Sequence, residues 1–328
     1  MMLKTATTEV LQQRHKSMKR VEIESWKDVK FTSPSSLSVV DEEYKLSEGS
    51  QDILLHQSAI PVPFFKRNPE KLQMELLNYH VAQQPDENCA IYVAKDTIIG
   101  MSNPRKPYVP YVDVIKVLED IIPSSNFKSI VLQRDGNIMV ASITSTETVA
   151  EPRVGDLTEG GLNFTFSDIG IEAPDIEMYA NRLVCSNGMI VPQKMGRWSL
   201  VSNTAEGIIE ELEEKAREVF ERVEENLLTP FSHLVEEQVL NPSEAIGQLA
   251  KQYGLSSRMT NRLLEQVSLL PKPCSMYDIL NLVTALVHET TQEGAAVFSE
   301  RQIRNIQLVG GQLIKASHHN CPICNSER

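Results

Sequence analysis

The chain has no apolar run that could cross a bilayer. The longest, Ile279–Val287, is interrupted by Asn281 and Thr284 and covers about half of the ~20 residues that a membrane helix needs. The first residues carry no apolar core of a signal peptide, so nothing in them points to export. Cysteine is scarce: five residues, at positions 89, 185, 274, 321 and 324. That odd, scattered set makes no disulfide framework and predicts free thiols in a reducing cytoplasm. Catalytic signatures are missing as well. There is no phosphate-binding Walker pattern, no glycine-rich dinucleotide turn, no nucleophile elbow and no His-Glu-x-x-His zinc motif. His15, His56, His80, His233 and His288 each stand alone. The expectation is a protein without enzymatic activity, and no internal repeat suggests a solenoid.

Positive charge is also in deficit, with a net −12 over 328 residues. Nucleic-acid binding depends on Lys and Arg neutralising phosphates, so this balance counts against it at first sight. The acidity is local, however. Between Thr204 and Leu240 eleven glutamates face only Lys215, Arg217 and Arg222, which leaves −4 for the rest of the chain. Within the first twenty residues Lys4, Arg14, Lys16, Lys19 and Arg20 oppose Glu9 alone. One acidic helix sets the net charge.

Hydrophobic content of 41% and charged content of 23% are those of a globular protein with material for a large core. Residues 1–51 read as a flexible extension: a basic, helical Glu9–Arg20 followed by a Ser-rich, acidic stretch that buries too little to order itself. A domain over 52–202 follows. Asn68-Pro69-Glu70 starts a helix to about Tyr79. Ala90–Val93 and Thr97–Gly100 form a hairpin, and Tyr111–Ile122 has helical spacing. Phe127–Gln133 and Asn137–Thr144 pair through Asp135-Gly136, because that dipeptide supplies the positive φ of a tight turn. Leu162–Ser167 and Ile176–Cys185 complete a mainly antiparallel sheet. Residues 203–317 read as a helical region packed on that sheet. Ile208, Leu212, Ala216, Val219, Val223 and Leu227 make an amphipathic helix, with Asn203 and Glu206 placed as a capping box and Thr229-Pro230 as its end. Asn241 opens the next helix and Gly254 closes it. Helices over Arg258–Leu269, Tyr277–Glu289 and Ser299–Ala316 follow, then a His/Cys tail over 318–328. The fold class is α+β, with flanking helices and a helical C-terminal region.

One string is more specific than the rest. Arg182-Leu183-Val184-Cys185-Ser186-Asn187-Gly188-Met189, inside Val154–Trp198, resembles the signature of a phage- and plasmid-borne family of unknown function, number nine-three-two in the domain-of-unknown-function series. Ile91–Ile122 resembles that family's earlier block, with Ser102, Tyr108 and Pro110 near its serine and Tyr-x-Pro turn. Gly155-Asp156, Ser167 and Gly170 match the approach to the signature, and Tyr277–Glu289 with Gly310-Gly311 resemble its C-terminal helices. The resemblance covers roughly Ile53 to Ala316. It implies a gene carried on mobile elements and brings no active site with it.

Several residue groups could carry binding. Arg182, Cys185 and Asn187 alternate toward one face of a strand end; Arg182 could hold an anion, or the group could be core and turn chemistry. Lys194, Arg197 and Trp198 combine two cations with an aromatic, the pairing that suits phosphate contact with base stacking. Arg105, Lys106, Tyr108 and Tyr111 make a second such cluster on a proline-rich loop. Ile246–Leu264 has the small residue (Ala250), turn glycine (Gly254) and core contacts (Leu255, Leu263) of a helix-turn-helix, which would put Arg258, Asn261 and Arg262 on a recognition helix. A plain helix hairpin fits the same pattern. His318, His319, Cys321 and Cys324 carry zinc-ligand chemistry, Cys-x-x-Cys being a chelating spacing. Asp96, Asp113, Asp135, Asp156 and Asp168 could gather round Mg²⁺, although no spacing demands it.

The leading expectation is a cytoplasmic protein of phage or plasmid DNA metabolism that binds or anneals single-stranded DNA and works as an oligomer. An α–β–β–β–α order from Tyr111 to Leu228 adds an analogy of architecture to single-strand-annealing recombinases of the Rad-fifty-two type, which assemble as rings. The alternative is an interaction protein that binds or inhibits a host or phage factor through its acidic helix.

Overall fold

The computed structural model describes residues 8–39, 42–83, 88–133, 136–182, 188–191, 201–270, 272–286 and 298–316. In chain order the elements begin with α1 (Thr8–Ser17), β1 (Met18–Ile23), β2 (Val29–Ser33), β3 (Ser36–Val39), β4 (Glu42–Leu46), α2 (Glu48–Gln57), α3 (Val62–Arg67) and α4 (Glu70–Gln83). They continue with β5 (Cys89–Ala94), β6 (Thr97–Ser102), α5 (Tyr111–Ile121), β7 (Ser125–Gln133), β8 (Ile138–Ala150), β9 (Thr158–Phe166), β10 (Asp175–Arg182) and β11 (Gly188–Val191). The helical part holds α6 (Ala205–Phe220), a π-helical turn (Glu224–Leu228), α7 (Thr229–His233), α8 (Pro242–Tyr253), α9 (Ser257–Val267), α10 (Met276–Ala285) and α11 (Glu300–Ala316). Two short strands, β12 (Gln238–Val239) and β13 (Cys274–Ser275), pair within it. The class is α+β, as the sequence predicts.

The first sheet has six strands in the order β1-β5-β6-β4-β3-β2, antiparallel throughout except for the β4–β6 pair. One face buries Phe31, Leu37, Ile91, Val93, Ile98 and Met101 against Leu54, Leu55, Phe65, Leu77 and Val81 of α2–α4. The edge strand β2 is held by a side chain rather than by another strand: Asn78 of α4 accepts from the Phe31 N–H at 2.8 Å and donates to its carbonyl at 3.1 Å. Satisfying an edge in this way removes a template for pairing with other chains.

The flexible extension expected over residues 1–51 is not what the structure holds: Thr8–Leu46 supplies one helix and four strands. Burial explains the difference. Along β2 and β3, Val29, Phe31, Leu37 and Val39 are buried while Lys30 and Thr32 are exposed and Ser36 and Ser38 half-buried. Apolar residues at every second position suffice for a half-buried strand, and averaged composition hides that alternation. The helix expected to reach Arg20 stops at Ser17, where the chain turns into β1.

The second sheet is an antiparallel meander of five strands in sequence order, β7 to β11. Met139, Ala141, Ile143, Leu162, Phe164, Phe166, Ile176, Met178 and Ala180 share its core face through the cross-strand register. Covering them are Val114, Ile115 and Leu118 of α5, Ile208, Leu212, Ala216 and Val219 of α6, and Val223, Leu227 and Leu228 at the π-helical turn. That turn comes close because β9 offers no side chain beneath it: a Cβ on Gly160 would lie 2.6 Å from Val223 Cγ1. Five strands therefore separate α5 from α6, where the sequence reading placed four and the architectural analogy counted three.

α6 is capped by Thr204, whose hydroxyl accepts from the Gly207 N–H at 3.1 Å, and not by Asn203. Thr229-Pro230 does not end the helical path. Pro230 sits in the first turn of α7, where its missing N–H leaves no bond unmade. Asn241 and Gly254 bound α8 as expected, the glycine at φ 62°. α10 opens on a capping box of Ser275 and Asp278. Arg153 from the β8–β9 connection pairs with that aspartate at 2.8 Å and lies over the Tyr277 ring.

One hydrophobic cluster runs from Leu11 and Val109 through the meander to Leu313. The helical region is thus part of the meander's core, and the boundary expected between residues 202 and 203 divides no core. The two main cores separate instead at Asn103–Tyr108, the connection between β6 and α5.

Candidate nucleic-acid interface

Asn103–Tyr108 is where three parts of the chain meet. Lys106 donates from Nζ to the Gly170 carbonyl at 2.8 Å, tying the connection to the β9–β10 loop. The next ordered contact is Val109 N–H on the Asp168 carbonyl at 2.9 Å. From the other side Arg20 of β1 donates from Nη2 to the Pro104 carbonyl at 2.5 Å. The Tyr108 ring stacks on the exposed His15 imidazole, with centroids 5.7 Å apart and planes at 10°, and its hydroxyl lies 3.3 Å from His15 Nδ1. Tyr108 also packs against Tyr92 of β5 at 6.1 Å.

α1 reaches this place because of Arg14. Its guanidinium is 11% exposed and pairs with the fully buried Asp168 at 2.8 Å. Nη2 bonds Asn137 Oδ1 at 2.9 Å, and Asn137 in turn donates to the Ile99 carbonyl of β6. Gly136 makes the approach possible: at φ 86° it turns the chain, and a Cβ there would stand 2.9 Å from Arg14 Nη1. Burial raises the Asp168 pKa, and Arg14 opposes that shift only in part. Burial and the Asp168 charge push the Tyr108 hydroxyl well above the usual tyrosine range, so it stays a neutral donor.

Around the His15–Tyr108 stack, Lys16, Arg105 and Lys106 are exposed and Arg20 is half-buried, whereas the exposed Lys19 shares the sheet's other face with Val21 and Ile23. Arg20 is partly neutralised by Glu22 at 2.9 Å. The structure therefore joins two groups that the sequence reading treated apart: the basic N-terminal residues and the Arg105-Lys106-Tyr108 loop. Tyr111 does not belong to the surface. It is 2% exposed, donates to the Gly136 carbonyl at 3.0 Å and packs edge-on against Phe166.

The other candidates fare differently. Arg182 ends β10, paired with Thr158 of β9. Cys185, Asn187, Lys194, Arg197 and Trp198 lie outside the described residues, as do His318, His319, Cys321 and Cys324. α8 and α9 do pack as a helix pair about Gly254, with Ile246, Leu249, Met259 and Leu263 buried. Two of the expected base readers are engaged within the protein, however: Arg258 lies over the Phe298 ring at 5.8 Å and Arg262 pairs with Glu265 at 3.3 Å. Asp168 is taken by Arg14, Asp156 accepts from the Tyr277 hydroxyl and Asp113 pairs with Lys116. Among the described residues no three His, Cys, Asp or Glu side chains are grouped to hold a metal, and no helix is long and apolar enough to span a membrane. Cys89 is buried and its thiol is pushed up to about 12 by desolvation, which leaves it unreactive.

Sequence reasoning missed one further polar group. The meander's second face carries Ser142, Thr144, Glu159, Asn163, Glu177 and Asn181, all buried. Asn181 accepts from the Tyr179 hydroxyl at 3.4 Å, and the other five bond among themselves. Ser142 donates to Asn163 at 3.0 Å, Asn163 to Glu177 at 3.3 Å and Thr144 to Glu159 at 2.7 Å. Lys128 meets Glu159 at 2.6 Å. Such a closed network fixes strand register and leaves little capacity for a ligand. Its signal was the polar residue between apolar neighbours in Asn163-Phe164 and Ile176-Glu177-Met178.

No family model, curated protein or solved structure matches the chain, so the resemblance to the phage- and plasmid-borne family rests on the quoted residues alone.

Proposed function

We propose that this chain binds single-stranded DNA, as a cytoplasmic protein of phage or plasmid DNA metabolism that acts as an oligomer in replication or recombination. The observation that carries the reading is the His15–Tyr108 stack, with its imidazole exposed, set among Lys16, Arg105 and Lys106. Aromatic rings on which bases stack, beside cations that track the backbone, are what sequence-tolerant single-strand binding requires. Five strands rather than three lie between α5 and α6, so the architectural analogy to annealing recombinases adds no support, and fold does not assign function. Fluorescence anisotropy with a labelled oligothymidylate and with a duplex of the same length, each at several salt concentrations, tests it. Tighter binding of the single strand, weakening as salt rises, is expected; equal or absent binding overturns the reading.

A second reading has its own observation. Glu210, Glu213, Glu214, Glu218 and Glu221 line one shallow groove on α6 with Arg217 as its single cation. Arg217 pairs with Glu213, and Lys215 and Arg222 with Glu218, so the face keeps an acidic excess. A protein that binds a basic host or phage factor would use such a face. Retention of one nuclease-resistant partner from host lysate, lost on reversing Glu210, Glu213 and Glu214 to lysine, would favour it over DNA binding.

A further inference from the structure

Arg20 and Tyr92 are direct cross-strand partners on β1 and β5, beneath the Asn103–Tyr108 connection. Each holds a buried polar atom with no hydrogen-bond partner among the described residues: the Arg20 Nε and the Tyr92 hydroxyl. Tyr92 is 0% exposed. Leaving a buried donor unmatched costs more than a typical hydrogen bond contributes, so two such donors side by side are not explained by packing. Burial raises the Tyr92 pKa, and the neighbouring Ser102 side chain and the Arg20 charge lower it only in part. The hydroxyl therefore keeps its proton and stays a donor. Ser102 directs its own hydroxyl proton to the Asn103 carbonyl at 3.4 Å, and the Tyr108 ring of the stack lies 6.1 Å from the Tyr92 ring. Two donors, one of them cationic, converge next to an aromatic platform. Glu22 and Asp168 are the carboxylates that oppose an anion here.

We propose that Arg20 and Tyr92 form a phosphate-binding subsite, which receives a backbone phosphate of the strand whose bases stack at Tyr108. This deepens, and rests on, the single-strand-binding reading. A phosphate oxygen accepts from Arg20 Nε and from the Tyr92 hydroxyl, satisfying both. The subsite is closed in the free protein, because the Arg20 Nη2 bond to the Pro104 carbonyl holds the connection over it. Entry requires Asn103–Pro107 to lift. Lifting breaks that Arg20 bond and the exposed Lys106–Gly170 bond, and it frees the Lys106 ammonium to follow the phosphate.

Tyr92→Phe removes the hydroxyl and keeps the ring. In the absence of ligand its Tm should equal or exceed that of the unsubstituted protein, because an orphan donor is deleted; a clear drop would mean that the hydroxyl is already bonded and would overturn the proposal. Inorganic phosphate should raise the Tm of the unsubstituted protein above a chloride control of equal ionic strength, and Tyr92→Phe and Arg20→Gln should lose most of that rise. Equal shifts in all three proteins overturn it. Oligothymidylate affinity should fall about tenfold in either variant, while an oligomer with a methylphosphonate backbone, which lacks the anionic oxygens, should bind all three alike. If the phosphate effect depends on Tyr92 but oligothymidylate does not bind, the subsite stands for free phosphate and the DNA reading falls. If oligothymidylate binds both variants undiminished, the DNA reading stands and the subsite falls.

Discussion

Arg14 grips both carboxylate oxygens of Asp168, with Nε at 2.8 Å and Nη2 at 3.2 Å, across 154 positions of sequence. A fork of this kind fixes direction as well as distance. It sets the end of α1 against the loop after β9, so that His15, one residue on, meets Tyr108.

Asp168→Ala should be strongly destabilising, because it leaves the guanidinium buried without its partner; about 3–5 kcal/mol is the usual loss for breaking a buried pair. The double substitution Arg14→Met/Asp168→Leu should recover much of it. Urea denaturation of the three proteins measures the difference. A double variant no better than Asp168→Ala would mean that the pair holds more than its own charges.

Gly161 pairs with Thr144 and Tyr179 in the meander, and a Cβ there would collide with the Ile143 carbonyl and the Thr144 backbone. Backbone atoms cannot swing away as a side-chain tip can. Gly161→Ala should therefore cost about 1–3 kcal/mol, in the range of overpacked cores. Gly247→Ala, with open space around its Cβ position, should be neutral or stabilising in a helix. Thermal denaturation of the pair separates the two cases.

Glu237 is pushed up to about 7 by burial alone. Its folded pKa is raised, so the folded state holds the proton more tightly than the unfolded chain does. That contribution to stability is complete below the ordinary carboxylate range and is lost as pH rises through about 7. Glu237→Gln should then raise the Tm at pH 8 relative to the unsubstituted protein, with a smaller gain at pH 5. A gain independent of pH would place the effect outside this titration.

Arg105→Ala and Lys106→Ala should each weaken oligothymidylate binding and lower the magnitude of the salt slope by about one. Arg262→Ala, whose side chain pairs with Glu265, should leave both unchanged. If instead Arg262→Ala reduces binding, the helix pair α8–α9 is the surface that meets DNA.

What could be read from the sequence was local. The turn at Gly136, the Asn241 cap and Gly254 end of α8, and the spacing of Ile208, Leu212, Ala216 and Val219 are chemistry within a few residues, and the structure holds them as expected. The choice of Asn203 over Thr204 as cap failed because two adjacent residues are both good caps, and which one adopts the extended backbone depends on the chain before it. The N-terminal strands were lost to averaging: four apolar residues in Val29–Val39, at alternate positions, build a sheet edge that bulk composition scores as polar. The Arg105-Lys106-Tyr108 group was visible as types in proximity. Its completion by His15 and Arg20 was not, because long-range contacts such as Arg14–Asp168 and Arg20–Pro104 bring those segments together, and nothing in either segment names the other.

The placement of Leu11 and Arg14 bears on how the chain can be divided. A cut at the β6–α5 connection looks natural, since the two main cores part there. Yet a fragment beginning at Val109 would lack the leucine that fills the floor of its core and the cation that neutralises Asp168. It would carry an apolar hole and a buried anion into solution, and should aggregate. A synthetic peptide spanning Thr8–Ser17 should bind that fragment and restore its solubility. The first turns of the chain thus behave as an inbuilt cofactor of the larger half: covalently attached to one body, required by the other.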